Sequence, residues 1–329
     1  MREPAFWRDA DALAARLLAP LGAVYGAIAA RRMTQPGKTA DIPVICIGNL
    51  TAGGAGKTPT AMAVAQLLRQ AGRQPFVLSR GYGGRLAGPV RVDTNAHRAA
   101  EVGDEPLLLA RVVPTIVARD RVAGARVARA AGANVLVMDD GFQNPGLHKN
   151  VSLLVIDGRN GIGNGMVFPA GPLRAPLDAQ LAHANALLVI GHGSGADAVP
   201  KAAPQLPVFH GSLEPDATAV EALRAHKVMA FAGIGDPDKL FDTLTAAGID
   251  VQARQAFADH HRYSSAEAAD LVARAERDGL ILVTTEKDLA RLQGENELRA
   301  LAEKARALPV RLVVDEAEAF RRFVLQAAG

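Results

Sequence analysis

The sequence predicts an α/β fold: a mostly parallel sheet with helices on both faces, a second, smaller α/β/α domain, and an amphipathic helix at the N-terminus. Three observations carry this. Continuous apolar runs of strand length recur at 44–47, 74–79, 133–138, 151–156 and 186–190, as strands covered on both faces require. The first run enters a glycine-rich loop closed by Gly56-Lys57-Thr58. The order strand, glycine loop, helix then returns at 227–248 and 279–292.

The N-terminal 40 residues hold six basic against three acidic residues, so the whole net charge of +3 sits there and the rest of the chain is formally neutral. That distribution argues against a broad nucleic-acid surface. The uncharged run LLAPLGAVYGAIAA at 17–30 lies between Arg16 and Arg31-Arg32 and is broken by Pro20, Gly22 and Gly26. It falls short of the ~20 residues of a spanning helix. An interfacial helix is expected, with Trp7 and Tyr25 at headgroup level and the arginines toward anionic lipid. A helical hairpin packed on its own domain is the alternative. Acidic residues near the start argue against a signal peptide. The single cysteine, Cys46, excludes an intrachain disulfide and any multi-cysteine metal site, and points to a reducing compartment.

Residues 43–60, PVICIGNLTAGGAGKTPT, have the layout of a phosphate-cradling loop between a buried strand and a helix N-terminus. Thr51, Ala52, Gly53, Gly54, Ala55, Gly56, Lys57 and Thr58 form the cradle, Lys57 reaching the outer phosphates and the Thr58 hydroxyl holding Mg²⁺. Thr51 stands where the usual pattern opens with glycine. Apolar spacing continues the helix from Thr60 to a stop at Gly72.

The second strand runs into RGYGG, placing Arg80 and Tyr82 where open α/β sheets bind ligands, unless the glycines only make a turn. Asp104 and Glu105 precede an apolar helix and by themselves read as a pair complementing its dipole. The run at 133–138 ends in Asp139 and Asp140. A carboxylate there is how phosphate-loop enzymes place the group that orders Mg²⁺, with Asp139 first in that role and Asp140 second or facing the substrate. Gly161-x-Gly163-x-Gly165 does not match a dinucleotide fingerprint. PAGPLRAP, 169–176, offers Arg174 to a phosphate. The Gly/Pro-rich text near 191–207 reads as a connection. AGIGDPDKLF reads as a structural turn with a helix cap near Asp236. The segment 284–288, TTEKD, caps a helix or enters the cleft, and its spacing lacks the guanine-reading N-K-x-D. His260 and His261 read as a loop. The expected division is 1–40, a membrane-associating segment; 41–195, the nucleotide-binding domain; 196–225, a connection; and 226–329, a C-terminal α/β domain closing over the cleft.

GNLTAGGAGKT, SRGYGG, GDEP, DDGFQ, GNG with PAGPLR, DHH and TEKD occur in one order over about residues 40–290. Together they resemble the tetraacyldisaccharide 4′-kinase family of lipid A biosynthesis. The resemblance implies a P-loop kinase-type fold and ATP with Mg²⁺ as cofactors. It implies γ-phosphoryl transfer to the 4′-hydroxyl of a tetraacylated disaccharide 1-phosphate, and a peripheral seat on the cytoplasmic face of the bacterial inner membrane. By matching motif it makes Asp104 the base that accepts the hydroxyl proton and His260 its partner, and it groups Arg80, Tyr82, Gln143 and Arg174 as substrate contacts. The family commonly has His after DDGFQ and Glu in LREP, where this chain has Asn144 and Ala175. The alternatives are a P-loop kinase for another lipid or sugar, or a non-kinase ATP-dependent membrane switch.

Overall fold

The structure, a computed structural model, describes residues 4–329. Its strands are β1 (Val44–Asn49), β2 (Pro75–Ser79), β3 (Val90–Arg91), β4 (Thr115–Val117), β5 (Val135–Asp139), β6 (Val151–Asp157), β7 (Ala186–Ile190), β8 (Val208–Pro215), β9 (Lys227–Ala232), β10 (Asp250–Ala256), β11 (Ile281–Thr285), β12 (Arg306–Leu308) and β13 (Val310–Val314). Nine form one sheet in the order β13-β8-β7-β6-β1-β5-β2-β4-β3, parallel except for its edges β13 and β3. The other four form a parallel sheet, β10-β9-β11-β12.

β1 is buried at every position because both faces of the sheet are covered. Val44 and Cys46 join one core with Leu136 and Met138. Ile45 and Ile47 join the other with Val135, Val137 and the inward residues of the helix Lys57–Gln70. Each such apolar side chain contributes roughly 1.5–3 kcal/mol on burial. Cys46 behaves as one of them, its thiol pushed up to about 12 by burial. The chain travels outward from β1 to β2 and β4, returns through β5, then crosses to β6 on the other side of β1. Ile47 pairs with Asp139, so the end of β5 lies beside the root of the glycine loop, at the switch point where open sheets bind ligands.

The structure corrects the expected boundaries in two places. The segment 196–225 is no mere connection: β8 pairs with β7 in the large sheet, and the helix Ala217–Arg224 gives Val220 and Leu223 to the core of the second. The second lobe ends at Leu308, because β13 pairs antiparallel with β8 and the helix Ala317–Ala327 returns to the first lobe. Phe320 and Val324 complete the core over Ile45 and Ile47, with Phe320 meeting Phe209 edge-on at 5.2 Å. An amphipathic helix needs an apolar surface, and the one within reach is on the large sheet. The expected cap at Asp236 does not form; the helix begins at Asp238 with no side-chain cap.

At the N-terminus, a 3₁₀ turn at Ala5–Arg8 precedes one continuous helix, Leu13–Met33, rather than a helical hairpin. Gly22 and Gly26 are its contact points with the body: a Cβ on Gly22 would lie 2.7 Å from Val167 O, and one on Gly26 3.3 Å from Pro176. Leu13, Leu17, Leu21, Val24 and Ile28, at helical spacing, are left 58–72 % exposed. Trp7 is packed inward, its Nε1 donating to Pro169 O at 3.1 Å and its ring edge-on to Phe168. The helix is long and apolar enough to cross a membrane.

Candidate active site

The glycine loop is shaped by what surrounds it. Asn49, at the end of β1, donates from Nδ2 to Thr51 O at 2.6 Å and Gly53 O at 3.3 Å, curling the loop onto the strand end. Thr51 bridges antiparallel to Leu173 and its carbonyl accepts from Arg174 Nε at 3.0 Å. That extended pairing suits a β-branched residue, so no glycine is needed there. Gly56 has φ +93°, the left-handed region, immediately before the helix starts at Lys57. A Cβ on Gly54 would meet nothing within 4 Å, so the loop tip is open. Thr58 is buried at the helix N-terminus, where free backbone N–H groups and the dipole favour an anion. Burial lowers the Lys57 ammonium from its usual range, with Asp140 opposing from 3.9 Å.

β5 delivers two carboxylates with opposite surroundings. Asp140, at φ +52°, accepts from Arg174 Nη1 at 2.7 Å and Nη2 at 3.4 Å. Burial raises its carboxyl, but Lys57 and Arg174 outweigh that and hold it below the usual range. Asp139 is 1 % exposed and neither of its oxygens has a hydrogen-bond partner. Burial, then the charges of Glu105 and Asp140, push it up to about 7. A buried acceptor with no donor is costly unless a cation serves it. The described residues contain no cluster of three or more His, Cys, Asp or Glu for an ion. One orphaned carboxylate beside a hydroxyl and a phosphate cradle therefore fits Mg²⁺, which completes its shell with phosphate oxygens and water.

The second half of the site is built across the junction of the lobes. Gly103, at φ +93°, passes so close to Tyr82 that a Cβ would sit 2.6 Å from Tyr82 O. This starts the helix Asp104–Ala110 with its first carboxylate turned to the second lobe. Asp104 is 4 % exposed; its Oδ1 accepts from Glu105 N–H at 2.9 Å, and Arg291 Nε donates to its Oδ2 at 2.7 Å. His260 Nδ1 lies 3.5 Å from the same Oδ2, on a residue held at φ +54°. Burial raises the Asp104 carboxyl, yet the His260 hydrogen bond and the Arg291 and Lys287 charges hold it well below the usual range. The Asp104 hydrogen bond in turn raises the His260 imidazole. Beside this pair, Lys287 Nζ meets Glu105 at 2.5 Å. At the glycine loop, Lys239 of the second lobe pairs with Asp157 and donates to Gly54 O at 3.3 Å.

The match to known proteins covers the same features. Residues 14–328 fit the family model of tetraacyldisaccharide-1-P 4′-kinase. The chain belongs to this family. The tetraacyldisaccharide 4′-kinase of Nitrobacter winogradskyi is 55 % identical over 327 residues, 99 % of this chain and 97 % of that protein. That of Methylobacterium sp. is 58 % identical over 317 residues, 95 % and 93 % of the two. The structure is similar to that of LpxK from Aquifex aeolicus, described as its "apo" form in complex with ATP, with a TM-score of 0.74 and 27 % identity over 96 % of this chain and 99 % of that one.

Within this family fold, the residues expected from sequence divide into three groups. Residues 51–58, Asp139, Asp140 and Arg174 meet around the glycine loop, and Asp104 meets His260 at the junction, with the Tyr82 ring 5.1 Å from the imidazole. Arg80 and Tyr82 are exposed at the mouth. Gln143 is a correction: its Nε2 donates to Asn49 O at 2.8 Å and Gln180 Oε1 at 2.9 Å, so it braces the strand end behind the loop and has no N–H to spare for a ligand. The two departures from the family pattern land differently. Ala175 is fully buried in the core, and Asn144 closes a surface turn, its Oδ1 accepting from Gly146 N–H at 2.8 Å. His261 faces away from Asp104, its Nε2 3.1 Å from Glu267 and its ring stacked on Phe257. Sequence reasoning missed Arg291 and Tyr263. The signal was the i, i+3 pair Asp288 and Arg291 following TEK.

Proposed function

We infer that this protein transfers the γ-phosphoryl group of ATP to the 4′-hydroxyl of a tetraacyldisaccharide 1-phosphate. The observation that carries the reading is one cleft with a phosphate loop and an orphaned carboxylate on one wall and a buried Asp–His pair on the other, in a chain of this family. Lys57, the loop N–H groups and Arg174 bind the phosphates and balance their charge. Asp139 and Thr58, with Asp140 beside them, would hold Mg²⁺, which supplies positive charge to the phosphate oxygens when bound. The acceptor oxygen bonds to the γ-phosphorus as its bond to the bridging oxygen breaks, ADP leaves, and the hydroxyl proton passes to Asp104. A strongly held carboxylate is a weak base, but phosphoryl transfer proceeds through a loose transition state and asks for orientation more than basicity. His260 fixes Asp104 from one side and shares the proton. Arg80 and Tyr82 line the acceptor's entry, and the second lobe closes the cleft above them.

The outward apolar face of the helix Leu13–Met33, continued by Phe168 at 44 % exposure, supports a seat on the cytoplasmic face of the inner membrane, where a lipid acceptor resides. The test of the reaction is transfer of labelled γ-phosphate to purified tetraacyldisaccharide 1-phosphate in mixed micelles, wild type against Asp104→Ala. Labelling that collapses in the variant supports reaction and base; no labelling by a wild type that binds ATP overturns the acceptor.

A further inference from the structure

Arg291 does more than pair with one carboxylate. It lies on the helix Glu286–Leu292 of the second lobe, its side chain 9 % exposed. Its Nε and Nη2 stand 2.7 and 2.6 Å from Asp104 Oδ2, while Nη1 is 2.7 Å from both Gly233 O and Asp288 Oδ1. Asp288 is fully buried and takes donors from every side: Gly233 N–H at 3.0 Å, Tyr263 OH at 2.8 Å and Thr285 Oγ1 at 2.6 Å, besides Arg291. A carboxylate so served is no ligand site; its use is to hold the arginine. The guanidinium is thus fixed within the second lobe and projects its remaining edge across the junction.

We propose that Arg291, clamped on Asp288, is the positioning residue for Asp104, setting the plane of its carboxylate so that His260 and the acceptor hydroxyl meet it in one orientation. This rests on reading Asp104 as the base. Glu105 N–H holds Oδ1, and the planar fork of Arg291 holds Oδ2 in a way that the point charge of a lysine does not. The contact joins residues 187 apart in sequence, so the base is aligned only when the two lobes are apposed.

The charged groups facing Asp104 are His260, with Asp259 behind it at 3.8 Å, Arg291 and Lys287 from the second lobe, and Glu105 on its own helix. Arg291 favours the Asp104 carboxylate and opposes protonation of His260. Loss of its charge therefore moves both groups upward.

The experiment measures kcat and KM for ATP and for the acceptor across pH, in full-length wild type, Arg291→Gln, Arg291→Lys and Asp104→Asn. Arg291→Gln is expected to lose about 10²-fold in kcat, the cost of a misplaced reacting group, with KM for ATP within about twofold, and to shift both limbs of its pH profile to higher pH. Arg291→Lys keeps the charge, so its limbs stay in place while kcat falls. Unmoved limbs in a folded Arg291→Gln, or wild-type kcat in either Arg291 variant, would overturn the proposal. If Arg291→Gln does not fold, the kcat of Arg291→Lys decides. Full turnover by Asp104→Asn would remove the base reading itself; an inactive Asp104→Asn with fully active Arg291 variants would remove only the positioning role.

Discussion

Asp104 and Asp139 are nearly equally buried, at 4 % and 1 % exposure, and stand on opposite walls of one cleft, yet their protons behave oppositely. Asp104 is surrounded by donors from both lobes and stays ionised far into acid. Asp139 has none and is raised to about 7. Burial alone does not set the basicity of a carboxylate; the donors brought to it do. The protein completes the base with its own second lobe and leaves the other wall to be completed by what binds there.

The largest expected effect is on turnover. Lys57→Ala and Asp139→Ala should each cut phosphoryl transfer roughly 10²–10³-fold, by removing charge from the phosphate side. Wild-type rates in either would end the assignment of that wall.

Stability should separate the two carboxylates by sign. The raised Asp139 makes the Mg²⁺-free protein lose stability as pH climbs from about 4, the ordinary carboxyl value, to about 7. Asp139→Asn should therefore unfold at a higher temperature than wild type at pH 8 without Mg²⁺. The depressed Asp104 contributes stability above the ordinary carboxyl range that is lost as pH falls through its folded value. Asp104→Asn should cost roughly 3 kcal/mol at pH 8, because Arg291 and Lys287 lose the charge they face. Thermal unfolding of both variants moving in the same direction would contradict the comparison.

A smaller effect is expected one residue on. Glu105→Gln and Lys287→Met should each destabilise, and the double variant should recover part of the loss, with a coupling of about 1–3 kcal/mol by denaturant unfolding. Strict additivity would mean that the 2.5 Å contact contributes nothing at the junction. The smallest effect on the cleft belongs to the N-terminus: deleting residues 1–30 should lower recovery on anionic vesicles more than it weakens nucleotide binding. Unchanged sedimentation would remove the helix as the membrane seat.

Much of the site was legible because it is local. The phosphate loop, the carboxylates closing β5 and the acidic pair opening a helix are each set by residues within a few positions, and their spacing records the strand, turn or helix N-terminus that aims them. Gly22 and Gly26 were misread as interruptions of a helix, since sequence shows a missing side chain but not the backbone that needs the space. Gln143 looked free for a ligand because its partners, Asn49 and Gln180, are 94 and 37 positions away. The strand at 310–314 and the helix after it gave no sign of leaving the second lobe.

By itself, then, the sequence determined the α/β class, the phosphate loop and the residue types of both walls, because these depend on periodicity and turn chemistry between neighbours in the chain. Only the tertiary structure decided that β13 returns to the first sheet, that Asp139 stays without a donor while Asp104 is saturated, and that Arg291 reaches Asp104 from the other lobe. Those outcomes depend on which surfaces pack together, and packing brings together groups whose separation in sequence carries no signal of their contact.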